Sequence, residues 1–534
     1  MVKKKKRHYL ILAGIIILGV ALRFGQLDLK PLGIDEIATA LFSLGKGYED
    51  VPLNVATSLS SLQEVFTLRK TTWPEIAWAV STESTHPPLF FCLLHQWLVW
   101  LQPVSESLVW KLRAFPALWG VAAIAAVYCL NRLAFSPTAG LMGAAVMAVS
   151  PFGVYLSQEA RHYTLPVFLI TLALLALIQI EKDMEKSQIS VWWLIWLGVN
   201  TISFYVHYFC ILAFVAQVLI LIILSYNDQG KNLGKIILLA LTSFALFLPW
   251  LTIVMEHFNS PKTSWLSGPE NLAPLYQLPM AWLLMAIALP VENQPLAIQI
   301  IAGCLMIGFG GWVAWHTYLG LLSQTKSATF IISLFILFVL LEFLLIIYIL
   351  HKDITIAPRY NFIYFPAFCA LLGAGIVNRI KFSVKLPIML ILVGTISSLF
   401  VVFDLAFKKP YHPQAVVNNF KQDSGSLMIV VGYEDTINIA LGLSYAKAME
   451  PEGEKNQGTY LAFVDSSAGY DLVWEKVATM SVLPENLWVV APGLKQKDYP
   501  AQLHLAQSNC QLEPEQYYRI GIPYQLYQCQ TKIQ

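Results

Sequence analysis

The sequence predicts a polytopic α-helical membrane protein with a small C-terminal α/β domain, and three observations predict it. Of 534 residues, 57% are hydrophobic and only 13% charged, where a soluble domain carries about 25% charged residues. Apolar stretches that approach the roughly 20 residues a bilayer-crossing helix needs recur as far as residue 406. Beyond it, short β-type runs alternate with helical patterns. Mean hydropathy is +0.59, and a net charge of +2 gives no ground for a nucleic-acid partner.

The N-terminus joins a basic run, Lys3 to Arg7, to an apolar stretch at 8–25 with no A-x-A site directly after it. It reads as an uncleaved first transmembrane helix with a cytoplasmic start. Further crossings are predicted at 110–133, 137–156, 163–181, 190–206, 209–226, 234–255, 297–319, 328–350, 360–379 and 385–406. Two other apolar stretches, 87–102 and 273–291, are short or broken by proline. With those two in the interface, the cytoplasmic loops hold Arg132, Lys182, Lys186, Lys231, Lys235, Lys326, Arg379, Lys381 and Lys385. That satisfies the positive-inside rule, so about eleven crossings are preferred within a range of 11–13. The C-terminus then lies outside, as do the first outer loop, 26–86, and the loop 256–272. Parts of the first loop, such as 57–80, are amphipathic enough to lie on the membrane surface.

Domain limits follow at 1–405 and 406–534. In the second domain, 427–432, 460–465 and 487–491 read as strands and 436–448 as a helix. It carries no Walker motif, G-x-G-x-x-G or H-E-x-x-H. The seven cysteines form no C-x-x-C pair. Cys92, Cys129, Cys210, Cys304 and Cys369 read as plain core residues. Cys510 and Cys529 form a disulfide only if their region meets an oxidising compartment.

Polar residues gather at the outer helix ends: Asp35 and Glu36 in GIDEIATA, His86 before Pro87-Pro88, the run Ser157–Tyr163, His207-Tyr208 in a tight turn, and Arg359-Tyr360. Ionisable groups at a membrane boundary are costly unless they serve something. Arg161 and Arg359 suit an anionic headgroup, because guanidinium grips phosphate oxygens bidentately. Histidine adds a donor or a metal ligand, and a carboxylate can take a proton from a hydroxyl. Each member alone has a bland reading. An Asp-Glu pair is usually just solvated, prolines start helices, arginines snorkel to headgroups, and Tyr155, Tyr163 and Tyr360 fit an aromatic belt. The case rests on the set.

The set resembles the membrane glycosyltransferases of family 39 and their bacterial relatives in the GT-C superfamily, alongside protein O-mannosyltransferases and lipid A aminoarabinose transferases. The pieces are GIDEIATA (33–40), THPPLFFCLLHQWL (85–98), SPFGVYLSQEARHYTL (150–165), YVHYF (205–209) and APRYNFIYFPA (357–367). The resemblance spans roughly residues 1–405. It implies a GT-C-like helical fold, a polyprenyl-phosphate sugar donor and an inverting transfer to a cell-envelope glycan, lipid or protein. It implies Asp35 as catalytic base with Glu36 beside it. His86, Arg161 and Arg359 become donor-phosphate contacts, with Tyr360 nearby. Glu159, His162, Tyr163, His207 and Tyr208 become acceptor or site-lining residues. A divalent metal ion held by Asp35, Glu36, Glu159 and His86 stays open. The implied place is a bacterial plasma (inner) membrane, with the active site and C-terminal domain extracytoplasmic. His86 stands where aminoarabinose transferases have lysine. The 256–272 loop is too short for the inserted domain of eukaryotic O-mannosyltransferases. Two rivals share the helices: a transporter or flippase of lipid-linked sugars, which would more often show inverted repeats and broken helices, and a non-catalytic scaffold that displays the C-terminal domain.

Overall fold

The structure, a computed structural model, describes residues 2–185, 190–227, 229–258, 260–269, 271–379, 385–421, 425–449 and 458–531. Lys186 and Lys381, two of the predicted cytoplasmic cations, lie outside the described residues. The chain divides into two compact units. The first holds 1–29, 80–93 and 106–407, and the second holds 30–79, 94–105 and 408–534. The second unit thus begins its final segment close to the predicted cut at 405, but most of the first outer loop belongs to it as well.

The first unit is helical. Among the described residues, seven helices are long and apolar enough to cross a membrane: Lys5–Phe24, Leu108–Ala134, Thr164–Met184, Leu233–Phe258, Leu296–Leu321, Lys326–Tyr348 and Lys385–Val402. The count is eight if a bent pair is one span. This multi-span protein has fewer full-length spans than the eleven apolar stretches predicted, because several stretches fold as shorter helices. Residues 190–206 give Trp192–Phe204, 13 residues, and 360–379 gives Phe365–Arg379, 15 residues. The two doubtful stretches form Leu89–Trp100 and Ala273–Ala286, 12 and 14 residues, both short of a span.

The predicted crossing at 137–156 is broken. Pro137–Val149 and Pro151–Ser157 meet at a 60° bend. Ser150 is extended and its side chain accepts from the Gly153 N–H, so it caps the second piece as Pro151 starts it. The carbonyls freed at the end of the first piece are satisfied by side chains. Ser398 Oγ donates to Val149 O, and fully buried Arg23 donates to Met147 O and Ala148 O. Close helix crossings depend on glycine. A Cβ at Gly320 would sit 1.8 Å from the Gly375 carbonyl oxygen, and one at Gly373 would sit 2.5 Å from the Gly143 backbone. At one end of the unit, Arg132 reaches Tyr9 and Tyr128, and Lys182 donates to Leu133 O. Cys92, Cys210 and Cys369 are buried, whereas Cys129 and Cys304 are exposed on their helices. Those last two are therefore not core residues.

The second unit is built on a seven-stranded sheet. Its strands are β1 (Thr57–Ser58), β2 (Leu427–Tyr433), β3 (Thr459–Asp465), β4 (Asn486–Val490), β5 (Gln502–His504), β6 (Ser508–Ile520) and β7 (Ile522–Thr531), in the order β1-β3-β2-β4-β7-β6-β5. The β3-β2-β4 core is parallel. These strands read as continuous apolar runs because helices such as Thr436–Ala448 and Tyr470–Ala478 cover them. The three strands and the helix predicted here are present within a residue. The long β6–β7 hairpin was not predicted. It turns at Gly521, whose φ of +76° glycine adopts freely. Cys510 and Cys529 face each other across it and form a disulfide. Strand β1 comes from the first outer loop, at the start of the segment 57–80.

Candidate active site

Four loops of the first unit bring the predicted polar residues together. His86 precedes Pro87-Pro88, where neither residue can donate a backbone hydrogen bond. The Leu89 N–H then bonds Tyr205 O at 3.1 Å, which ties this segment to the turn carrying His207. The run 158–163 joins Pro151–Ser157 to Thr164–Glu185. Gln158 Nε2 anchors it to Leu22 O and Gly25 O, and Thr164 Oγ1 anchors it to Pro116 O. The Arg161 N–H bonds Glu159 O at 2.7 Å, a tight turn that sets Arg161 and His162 inward. Arg359 and Tyr360 lie on a short 3-10 helix, Pro358–Ile363.

Arg161 Nη2 lies 3.1 Å from His86 Nε2, and His86 Nδ1 lies 2.9 Å from Ser84 Oγ. Guanidinium can only donate. His86 Nε2 is therefore the acceptor, which leaves the proton on Nδ1, donated to Ser84. His86 holds Arg161 in this arrangement, with both ring nitrogens engaged. His162 packs against it, with ring centroids 4.8 Å from His86, 4.7 Å from Tyr163 and 4.7 Å from His207. The Phe209 N–H donates to His207 Nδ1 at 3.0 Å, which puts the ring proton of His207 on Nε2. Among the described residues, that Nε2 and both nitrogens of His162 have no hydrogen-bond partner although they are buried. Orphaned buried polar atoms of this kind call for a ligand or a water. Tyr360 closes one side, 4.8 Å from the Phe209 ring and 6.2 Å from His207, and Phe362 lies 4.8 Å from His207.

The field of this cluster is positive. Burial, then the Arg161 and Arg359 guanidiniums, bring His207 from 6.5 to about 3. Burial, His207, Arg161, His86 and Arg359 likewise hold His162 well below its ordinary value. Both imidazoles are thus neutral N–H donors at neutral pH, beside two cations. Such a group of donors stabilises an anion.

The structure brings His86, Arg161, His162, Tyr163, His207 and Tyr360 together, and Arg359 joins them through its charge. Tyr163 and Tyr360 are buried, not part of an interfacial belt, and Arg161 is 3% exposed and does not snorkel. Glu159 is buried and turns the chain into Arg161. Tyr208 departs from the group. Its hydroxyl bonds His257 Nδ1 and the Trp250 indole, each at 2.9 Å. Ser84, Phe209 and Phe362 went unnoticed in the sequence, although Phe209 and Phe362 lie within motifs already quoted. Asp35 and Glu36 belong to the second unit, on the helix Ile34–Ser43. Asp35 is half-buried. Glu36 is fully buried, and its Oε2 accepts from the Gly33 N–H at 3.0 Å and from Lys409 Nζ at 3.3 Å. Among the described residues, no three His, Cys, Asp or Glu side chains form a metal-ligand set. Of the residues named for a divalent ion, His86 and Glu159 lie in the first unit and Asp35 and Glu36 in the second, and no step is assigned to such an ion.

Residues 85–253 match the family model described as dolichyl-phosphate-mannose-protein mannosyltransferase. No curated protein sequence matches. The fold is similar to that of ArnT from Cupriavidus metallidurans bound to undecaprenyl phosphate, with a TM-score of 0.52, 12% identity and 97% of each chain covered. It is also similar to the apo state of that protein, with a TM-score of 0.51, 12% identity, and 92% of this chain and 94% of the other covered. At that identity the likeness establishes the fold alone: a multi-span helical membrane protein with a C-terminal sheet domain.

Proposed function

We propose that the protein is a glycosyltransferase that moves a sugar from a polyprenyl-phosphate donor to a cell-envelope acceptor on the extracytoplasmic face, with inversion. The observation that carries the reading is buried Arg161, held by half-buried His86, beside Arg359 and two neutral histidines, a set of donors suited to a phosphate. The matched family model and the undecaprenyl phosphate bound by a protein of the same fold support the donor class.

The acceptor oxygen attacks the anomeric carbon, and its proton passes to the Asp35 carboxylate. The bond from that carbon to the phosphate oxygen breaks, and the electron pair leaves with the polyprenyl phosphate. Arg161 and Arg359 take the developing charge, with His207 Nε2–H and His162 as neutral donors. His86 keeps Arg161 aimed. It serves the phosphate through that arginine, since its own nitrogens are engaged. Glu159 holds the turn, Tyr163 and Tyr360 wall the pocket, and Glu36 serves the helix that bears Asp35. The base role of Asp35 rests on its place in GIDEIATA. The N-terminus is read as cytoplasmic from the basic run Lys3 to Arg7 and from basic loop residues such as Arg132 and Lys182. The Cys510–Cys529 disulfide favours an oxidising outer compartment for the sheet domain.

The test is lipid-phosphate release in nanodiscs from synthetic short-chain polyprenyl-phosphate sugars, with an envelope extract as acceptor source. Asp35→Asn keeps the shape and removes the base, so turnover drops by about 10²-fold or more while donor binding persists. Equal release by wild type and Asp35→Asn refutes the base assignment. Binding without release by either chain, for every donor, favours a flippase.

A further inference from the structure

We infer that the region after residue 405 is the frame that seats the Asp35 helix, and that Lys409 is a positioning residue acting through Glu36. The inference rests on the reading of Asp35 as base. It starts from Glu36, a carboxylate with no exposed surface, next in sequence to Asp35. A buried carboxylate needs a cation and donors. Glu36 finds them in Lys409 Nζ and in the Gly33 N–H at the helix start. Gly33 leaves the room for this. A Cβ there would lie 2.6 Å from Lys409 Nζ and 3.0 Å from the Tyr411 hydroxyl. The other end of the helix is held too, by His95 Nδ1 against Ser43 O at 2.9 Å.

The rest of the outer loop is bound into the same frame. Strand β1 pairs with β3, and the Asn54 N–H donates to Phe463 O at 2.7 Å. Lys476 Nζ reaches Asn54 Oδ1 at 3.1 Å. Gln63 Nε2 donates to Ala446 O at 2.7 Å, and Lys447 lies over the Phe66 ring. The helix Ile34–Ser43 packs on Thr436–Ala448. The C-terminal region therefore does for the acid what a neighbouring structural element does for a catalytic loop elsewhere: it fixes the backbone from which Asp35 projects. A shift of about 1 Å in a reacting group can cost about 10²-fold in rate, so loss of the Lys409 contact acts on turnover more than on donor binding.

The experiment compares Lys409→Met, Lys409→Arg and Gly33→Ala with wild type and Asp35→Asn in nanodiscs. It reads kcat and donor KM, and hydrogen exchange of amides 34–43. Lys409→Met is expected to lower kcat about 10- to 100-fold with donor KM within about twofold. It should also speed exchange at 34–43 while β2–β4 stay protected. Lys409→Arg should recover most of the rate, and Gly33→Ala, which keeps every charge, should resemble Lys409→Met. Unchanged exchange at 34–43 in both Lys409→Met and Gly33→Ala overturns the inference, as does an equal rise in exchange across β2–β4, which marks general unfolding. If Asp35→Asn turns over like wild type, the base reading fails, and the exchange data still decide whether Lys409 seats the helix.

Discussion

Arg23 Nη2 lies 2.7 Å from the carbonyl oxygen of Met147, and the same guanidinium reaches Ala148 O with Nη1 at 2.9 Å. An arginine on the first helix thereby completes the hydrogen bonding of a helix end inside the bundle, which lipid could not do. Without it the bend at Ser150 leaves acceptors unmet, and that bend leads into the run bearing Arg161.

Arg23→Met should therefore destabilise the helical unit by about 1–3 kcal/mol for each carbonyl left unsatisfied. Thermal unfolding in detergent measures it. An Arg23→Met protein as stable as wild type would show that the carbonyls find other partners.

The two neutral histidines give a pH signature. His207 falls from 6.5 to about 3 on folding. Between those values the unfolded chain binds the extra proton, so the contribution to stability is complete above pH 6.5 and is lost as pH drops through the window. The loss is at most about 1.4 kcal/mol per pH unit. Melting curves at pH 7.5, 6 and 5 should slope less for His207→Asn than for wild type, and parallel slopes contradict the assignment.

Gly320 and Gly375 mark a crossing with no space for a side chain. Gly320→Val should separate Leu296–Leu321 from Phe365–Arg379 and cut the yield of folded protein sharply. Gly303→Val on the same helix, where a Cβ meets nothing within 4 Å, is the control. Similar yields for both would refute the close-approach argument.

Replacing both Cys510 and Cys529 with serine removes a covalent link across the hairpin, with a sequence separation of 19. A cost of about 3 kcal/mol to the sheet domain is expected from the lost constraint on the unfolded chain. Proteolysis of the β6–β7 hairpin at rising temperature reports it, and unaltered resistance would count against it.

Much of this was legible in the sequence. Long apolar runs announced the helices, and a polar residue at each outer helix end announced the cluster around Arg161. What stayed hidden is instructive. Ser150-Pro151 marks a break inside the apolar stretch 137–156, but Arg23, which satisfies the carbonyls that the bend frees, is 124 residues from Met147. The engagement of His86 by Arg161 and Ser84 depends on ring geometry that residue type does not encode. The role of Glu36 depends on Lys409, which stands in a polar stretch with no motif around it. Tyr208 shares a dipeptide with His207 yet faces His257, because consecutive residues in a turn point apart.

The pairing of an early loop with late strands also sets a schedule for synthesis. The helix bearing Asp35 leaves the ribosome among the first residues, while the lysine, strand and helix that receive it come in the last quarter of the chain. Segments made early must wait for partners made late. A product truncated before residue 409 can insert its spans and still lack the Lys409 contact to Glu36 on the helix Ile34–Ser43.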